Sequence, residues 1–402
     1  MSNSQQENIS HNLISHNLKA RRRAELRFKA YGIAALGFAF SMLLLLVTIL
    51  LVPSINGIQR SEIRLEIIQN DNLSPPKASL LALFPEVSSR MEKRQLFGLI
   101  SNGAEEQMQK AIDKKENFVW VTASDIADLY IKNPQSENNS LSAEQVNWLK
   151  ALQAKNALRK NIDWGFFTNG DSRSPQDAGF AGAIIGSLWM LLVCISVAFP
   201  IGVGAAVYLE EFSKKSRLRD FIEVNINNLA AVPSIVFGLL GLAVFLNFAS
   251  LPRSSTLVGG LTLAMMILPV IIIATRAALR AVPSSIRQAA LALGASPLKV
   301  VLHHSIPLAL PGIMTGTILG MARAMGETAP LLMIGMVAFV VDIPHNILQP
   351  ATAMPVQIYI WASSPEAGFA GKTSTGIVVL IFMLFILNAA AIYLRKKSER
   401  QW

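Results

Sequence analysis

The sequence predicts an all-α polytopic membrane protein with six transmembrane helices, and an α+β insertion domain on the periplasmic side after the first span. Three observations predict it. Only 15% of the 402 residues are charged and 52% are hydrophobic, where a soluble domain carries about 25% charged residues. The missing charge leaves six long apolar runs, sized for a ~30 Å hydrocarbon core at 1.5 Å per residue. Lys and Arg gather beside alternate runs, as they do in loops on the cytoplasmic side.

The elements follow in order. A polar leader ends in Lys19, Arg21, Arg22, Arg23, Arg27 and Lys29, which predicts a cytoplasmic N-terminus. The first span is expected over Ile33–Val52, stopping at Pro53. A cleaved signal peptide would have a shorter apolar region and a small-residue cleavage site, so the run reads as an uncleaved anchor. Residues 1–56 form this leader and span. Residues 57–177 change character, with charges of both signs, Pro75-Pro76 and Asn/Ser-rich turns. They are long enough for a small domain of their own. Ser142 with Gln145 forms a capping box before an apolar stripe of Val146, Trp148, Leu149 and Leu152. Phe118–Val121 is compatible with a strand.

Five further spans are expected over Phe180–Leu209, Ile222–Phe248, Leu257–Thr275, Leu308–Val340 and Thr375–Leu394, within a transmembrane domain of residues 178–395. Lys214, Lys215, Arg217 and Arg219 follow the second. Arg276, Arg280, Arg287 and Lys299 follow the fourth, and Arg395-Lys396-Lys397 close the sixth, before a tail of residues 396–402. Every basic loop then falls on the cytoplasmic side, with both termini inside, as in a multi-pass bacterial inner-membrane protein.

Charge distribution excludes a nucleic-acid partner. The net charge is +10, yet residues 57–177 hold 15 basic against 16 acidic residues. The excess lies beside apolar runs and not on a soluble basic face interleaved with aromatics. Membrane lipid is the implied surroundings. Cys194 is the single cysteine and sits in an apolar run, which reads as a packing residue.

The informative stretch is 280–311, RAVPSSIRQAALALGASPLKVVLHHSIPLALP. Pro283 suits the first turn of a helix, with Ser284 and Ser285 nearby to cap it. Ile286–Leu293 predicts a short amphipathic helix. Gly294 is placed to stop it in a left-handed cap, and Pro297 prevents continuation. Its small residues allow another surface to approach closely, so the element reads as a docking knob.

This stretch resembles the EAA loop of ABC-importer permeases. Gln288-Ala289-Ala290, Gly294 and Ile306-Pro307 stand where that pattern has Glu-Ala-Ala, Gly and Leu-Pro. The run Ala322–Pro330 (ARAMGETAP), the run AFPIGVGAAVYLEEF ending at Phe212, and Leu229–Gly238 are similar to the permeases of phosphate importers. The likeness runs from about Gly179 to the C-terminus, and the large insertion resembles the extended variant of the A-subunit permease. The resemblance implies the type I ABC-importer permease fold. It implies a coupling loop of Gln288, Ala289, Ala290, Gly294 and Pro307. It also implies a second permease subunit of the C type, an ATPase dimer that uses the ATP, and a periplasmic phosphate-binding protein. Sulfate or molybdate is the alternative cargo; a membrane sensor or scaffold is the alternative of another class.

Arg323 and Glu327 stand four apart on one expected helix face, near the centre of an apolar run. A charge there costs about 2.5–3.5 kcal/mol on translocon scales. Pairing offsets this, since two charges ~4 Å apart at an effective dielectric of 20 attract by about 4 kcal/mol before desolvation. Arg offers a planar donor fork to phosphate oxygens, so Arg323, Glu327 and Thr328 are the expected substrate pathway. A fixed salt bridge that only packs helices is the other reading. Gly368–Thr373 (GFAGKT) ends like a phosphate-binding P-loop, but Glu366 stands where the first glycine belongs. The chain is thus expected to carry no catalytic residue and no ATPase site, and to bind no cofactor. His303-His304 finds no third ligand nearby, so no metal is expected.

Overall fold

The computed structural model describes residues 3–68, 74–134 and 141–398, with side chains omitted for 3–21, 23 and 398. The side chains of Lys19, Arg21 and Arg23 of the leader, and residues 399–402 of the tail, therefore lie outside what is described.

The chain divides into two compact units, Met1–Val52 and Pro53–Trp402. The first consists of helix α1, which runs Asn3–Ile58 across the division. Its apolar stretch is exposed at Leu36, Phe38, Phe40, Leu43 and Leu44, as a lipid-facing span requires. The helix does not stop at Pro53 as expected but continues to Ile58.

In the second unit, β1 (Gln59–Glu66) starts directly after α1, followed by α2 (Pro75–Leu83), α3 (Arg90–Phe97), α4 (Ala104–Asp113), β2 (Phe118–Thr122), α5 (Asp125–Lys132), α6 (Ala143–Ala154), β3 (Leu158–Ile162) and α7 (Gly165–Thr168). The strands form an antiparallel sheet in the order β2-β1-β3. Glu62 pairs with Thr122 on one side and Arg159 on the other. Alternation sends Ile63, Leu65, Val119 and Val121 into a core with Leu80, Leu96, Leu99, Met108, Leu149 and Leu152. The capping box is present: Ser142 and Gln145 satisfy each other's backbone N–H.

The remaining helices are α8 (Ala181–Phe212), α9 (Arg217–Ala230), α10 (Ser234–Phe248), α11 (Thr256–Arg280), α12 (Ser284–Ala292), α13 (Pro297–Gly326), α14 (Ala329–Met333), α15 (Met354–Ala362) and α16 (Phe369–Ser398). α11 is central. Gly259 and Gly260 let α8 approach through Met190 and Val193, and Gly312 and Gly316 of α13 sit against Ala278 and Ala274. Small residues at crossings are how helices pack closely where lipid is the solvent.

Two expected spans differ. The run Ile222–Phe248 is not one continuous helix: α9 and α10 meet at a 102° bend. Pro233 supplies no backbone donor, and it disfavours helical geometry at Val232. Among the described residues, five helices are long and apolar enough to cross a membrane, or up to six if the bent pair is one span. The run Leu308–Val340 is not one helix either. α13 ends at Gly326, Glu327 turns extended (φ −80°, ψ 126°), and the chain is irregular between α14 and α15. Ile334, Met336, Ala351 and Ala353 of that irregular stretch are buried. Protein-covered coil is as apolar as a span, so composition cannot separate the two.

Candidate functional site

The loop after α11 folds into α12 between Pro283 and Leu293. Pro283 is the N-cap, and neither Ser284 nor Ser285 caps the helix with its hydroxyl. Both serines are inside the first turn, where the side chain is past the donors it would satisfy. The C-terminus is as expected. Gly294 has φ +85°. Its N–H donates to Leu291 O at 2.9 Å, and the Ala295 N–H donates to Ala290 O at 3.1 Å. These two bonds form the Schellman closure, and its left-handed residue disfavours any side chain.

The knob shows an apolar face. Gln288 and Ala289 are exposed while Ala290 is buried, and Leu293 is 89% exposed. Behind it lies a groove of about 830 Å³ lined by Ala278, Val282, Ile286, Ala290 and Pro307. Arg287 fastens α12 to its neighbours. It donates to Leu279 O at 2.7 Å and to Ser305 Oγ at 3.3 Å, and pairs with Glu211 at 2.7 Å.

Arg323 and Glu327 come together at the end of α13, not at the centre of a span. Arg323 Nε donates to Glu327 Oε1 at 3.4 Å, with side chains 44% and 21% exposed. Thr328 follows in the break before α14, and its hydroxyl caps nothing. A loosely held, half-exposed guanidinium at an interrupted helix can offer N–H groups to an oxyanion. The coupling-loop residues and these three form two separate groups.

The GFAGKT stretch is a packing device. Lys372 Nζ reaches Asp163 Oδ2 at 2.5 Å and donates to Ala178 O at 3.2 Å. Asp125 of α5 accepts the Gly368 N–H, and burial pushes its carboxyl above the usual aspartate range. Lys132, also on α5, donates to Asn56 O at 2.7 Å at the end of α1. Gly371 lies against Gly57. Among the described residues, no group of three His, Cys, Asp or Glu could hold a metal ion. Glu210, Glu211 and Glu223, which no sequence motif singles out, pair with the basic loop residues. The available signal was Arg276 in the last turns of an apolar run, where a charge demands a partner.

The fold is that of a helical protein with several apolar helices of membrane-spanning length. The family described as "Binding-protein-dependent transport system inner membrane component" matches residues 198–400, and the chain belongs to it. "Domain of unknown function (DUF3333)" matches residues 15–77. The chain is 34% identical over 239 residues to the phosphate transport system permease protein PstA of Xylella fastidiosa, covering 59% of this chain and 82% of that one. It is 31% identical over 248 residues to the probable ABC transporter permease protein YqgI of Bacillus subtilis, covering 58% and 83%. A solved inward-facing MetNI methionine ABC transporter aligns with a TM-score of 0.45 at 18% identity, over 54% of this chain and 95% of that one. Membership makes the chain an inner-membrane component of an ABC importer, not itself an enzyme. A separate ATPase and a substrate-binding protein are the general partners of such components.

Proposed function

We propose that this chain is the A-type permease subunit of an ATP-driven phosphate importer. It encloses the translocation channel with a homologous C-type permease, takes its drive from an ATPase dimer docked on the Gln288–Gly294 knob, and receives inorganic phosphate from a periplasmic binding protein. The observation that carries the reading is Arg323: a half-exposed guanidinium, weakly held by Glu327, in a chain whose relatives are named for phosphate transport. Arg323 and Thr328 meet the oxyanion, and Glu327 holds the guanidinium when the channel is empty. In this reading the bent α9–α10 pair crosses once, both termini are cytoplasmic, and residues 57–177 face the periplasm.

Uptake of radiolabelled phosphate by proteoliposomes holding the full complex tests the cargo, with unlabelled sulfate and molybdate as competitors. Phosphate alone competing is the expected result; stronger competition by either other anion assigns the channel to that oxyanion. Reporter fusions after residue 120 should be active in the periplasm and those after residue 290 only in the cytoplasm. A cytoplasmic signal at residue 120 overturns the orientation.

A further inference from the structure

The basic residues beside α11 are not free surface charges. Glu210, in the last turn of α8, pairs with Arg276 at 3.4 Å, Arg280 at 3.0 Å and Arg219 of α9 at 3.6 Å. Glu223 of α9 pairs with Arg276 at 2.7 Å and Arg280 at 3.5 Å. The adjacent Glu211 pairs with Arg287 of α12. Four guanidinium groups and three carboxylates thus join α8, α9, α11 and α12. Arg287 extends the link to α13 through Ser305.

The cluster is partly removed from water. Arg276 is 5% exposed, and the Glu211 and Glu210 side chains are 8% and 14% exposed. Glu210 and Glu223 share Arg276 and Arg280, so these helices are cross-tied more than once, whereas Glu211 has Arg287 as its ion-pair partner among the described residues, and releasing Arg287 leaves that buried carboxylate without it. A surface cluster that only marked the cytoplasmic side would need none of this pairing.

The network also leads somewhere. α9 carries Glu223 and bends into α10. In α10, Gly238 abuts the backbone of Pro330 in α14, where a Cβ would stand 2.6 Å from Pro330 Cα. Pro330 is three residues from Glu327. Motion of α12 therefore has a contiguous, tightly packed route to the Arg323–Glu327 break.

We infer that Arg287 with Glu211, and Glu210 and Glu223 with Arg276 and Arg280, form a latch that makes the coupling knob and α9 move as one body, and that Arg287 is its positioning residue. The inference rests on the permease reading above. Arg287 touches no cargo: it acts through the helices it joins.

The test uses the full complex. Arg287→Gln and Glu211→Gln, singly and together, are compared for ATP hydrolysis, ATPase association and labelled phosphate uptake, each normalised to permease in the membrane. Expected is ATPase binding and hydrolysis within about twofold of the unaltered complex, with uptake per ATP lowered about tenfold, a size typical of residues that couple distant sites. The double variant should be no worse than either single one, since the pair acts as a unit. Arg287→Lys keeps the charge but not the three-way fork, and should be intermediate. Unchanged uptake per ATP, or loss of hydrolysis and association together, overturns the latch, as does a double variant whose effects simply add. A cargo-independent arm separates this from failure of the phosphate reading. Spin labels at exposed Leu218 of α9 and Ser285 of α12 should keep one separation with and without a non-hydrolysable nucleotide, and diverge between the two states only in Arg287→Gln. A separation that changes with nucleotide in the unaltered complex overturns it.

Discussion

Two ion pairs near the ends of apolar helices are built in opposite ways. Lys372 and Asp163, at the start of α16, meet at 2.5 Å with side chains 7% and 2% exposed. Arg323 and Glu327, at the end of α13, meet at 3.4 Å with side chains 44% and 21% exposed. The first is sealed: Ala178 O takes another Lys372 hydrogen, the Phe166 ring lies 5.2 Å from the ammonium, and Arg60 stands 3.6 Å from the carboxylate. The second has, among the described residues, one weak partner, which leaves donor edges of the guanidinium open. Desolvation makes a buried pair intolerant of losing one member, while an exposed pair contributes about 0–1 kcal/mol to stability and its groups stay available. Burial, and not residue type, separates a structural charge from one that can exchange partners with a cargo.

The largest expected effect breaks the sealed pair. Lys372→Met should destabilise the permease by up to about 3–5 kcal/mol by leaving the buried Asp163 with the longer Arg60 contact alone in place of its close partner, read as a fall in thermal unfolding temperature in detergent. Adding Asp163→Leu should recover most of it, because both buried charges then go. A single variant as stable as the unaltered protein would mean that Arg60 alone satisfies Asp163.

At the open pair the same logic predicts the reverse pattern. Arg323→Gln should change thermal stability by less than about 1 kcal/mol while labelled phosphate uptake falls by more than about tenfold, some 1.4 kcal/mol of lost function. Glu327→Gln added to it should not restore uptake if Arg323 meets the cargo. Rescue by the double change would leave Arg323 as a packing residue.

The smallest effect concerns Asp171, a buried carboxyl whose contacts include neutral donors: the Trp361 indole N–H at 3.0 Å and the Ser172 N–H at 2.9 Å. Burial pushes this carboxyl above the usual aspartate range, against the pull of those hydrogen bonds. The folded state then holds the proton more tightly than the unfolded one, so the favourable contribution is complete below the unfolded value and is lost as pH rises through the folded one. Asp171→Asn keeps an acceptor for Trp361 and should raise the unfolding temperature slightly at pH 7, with the gain shrinking as pH falls toward 4. A loss of stability at pH 7 would show a cation partner for Asp171.

What the sequence made legible was local. Ser142 with Gln145, and Gly294 with its left-handed φ, are written within three or four residues of what they satisfy. The candidate site was legible as two charges four apart, but not its place at a helix end. Hydropathy sums over Pro233 and over the Glu327 break without registering either, because the residues around both remain apolar. The pairings were hidden for another reason. Arg276 finds Glu210 across 66 positions, and Lys372 finds Asp163 across 209. No spacing rule reaches that far. The basic residues near Arg280 were legible as a charge cluster, while their carboxylate partners lay on α8 and α9.

The three-stranded sheet begins where α1 ends, and the Asp163 N–H, just past β3, donates to Ile58 O at 2.7 Å. The two ends of a segment more than a hundred residues long are therefore one hydrogen bond apart. A module whose ends meet can be spliced into a host chain without stretching it. The α5 contacts then turn such a graft from a dangling appendage into a fixture. Asp125, Lys132 and the Lys372–Asp163 pair bolt the segment to the end of α1 and the start of α16.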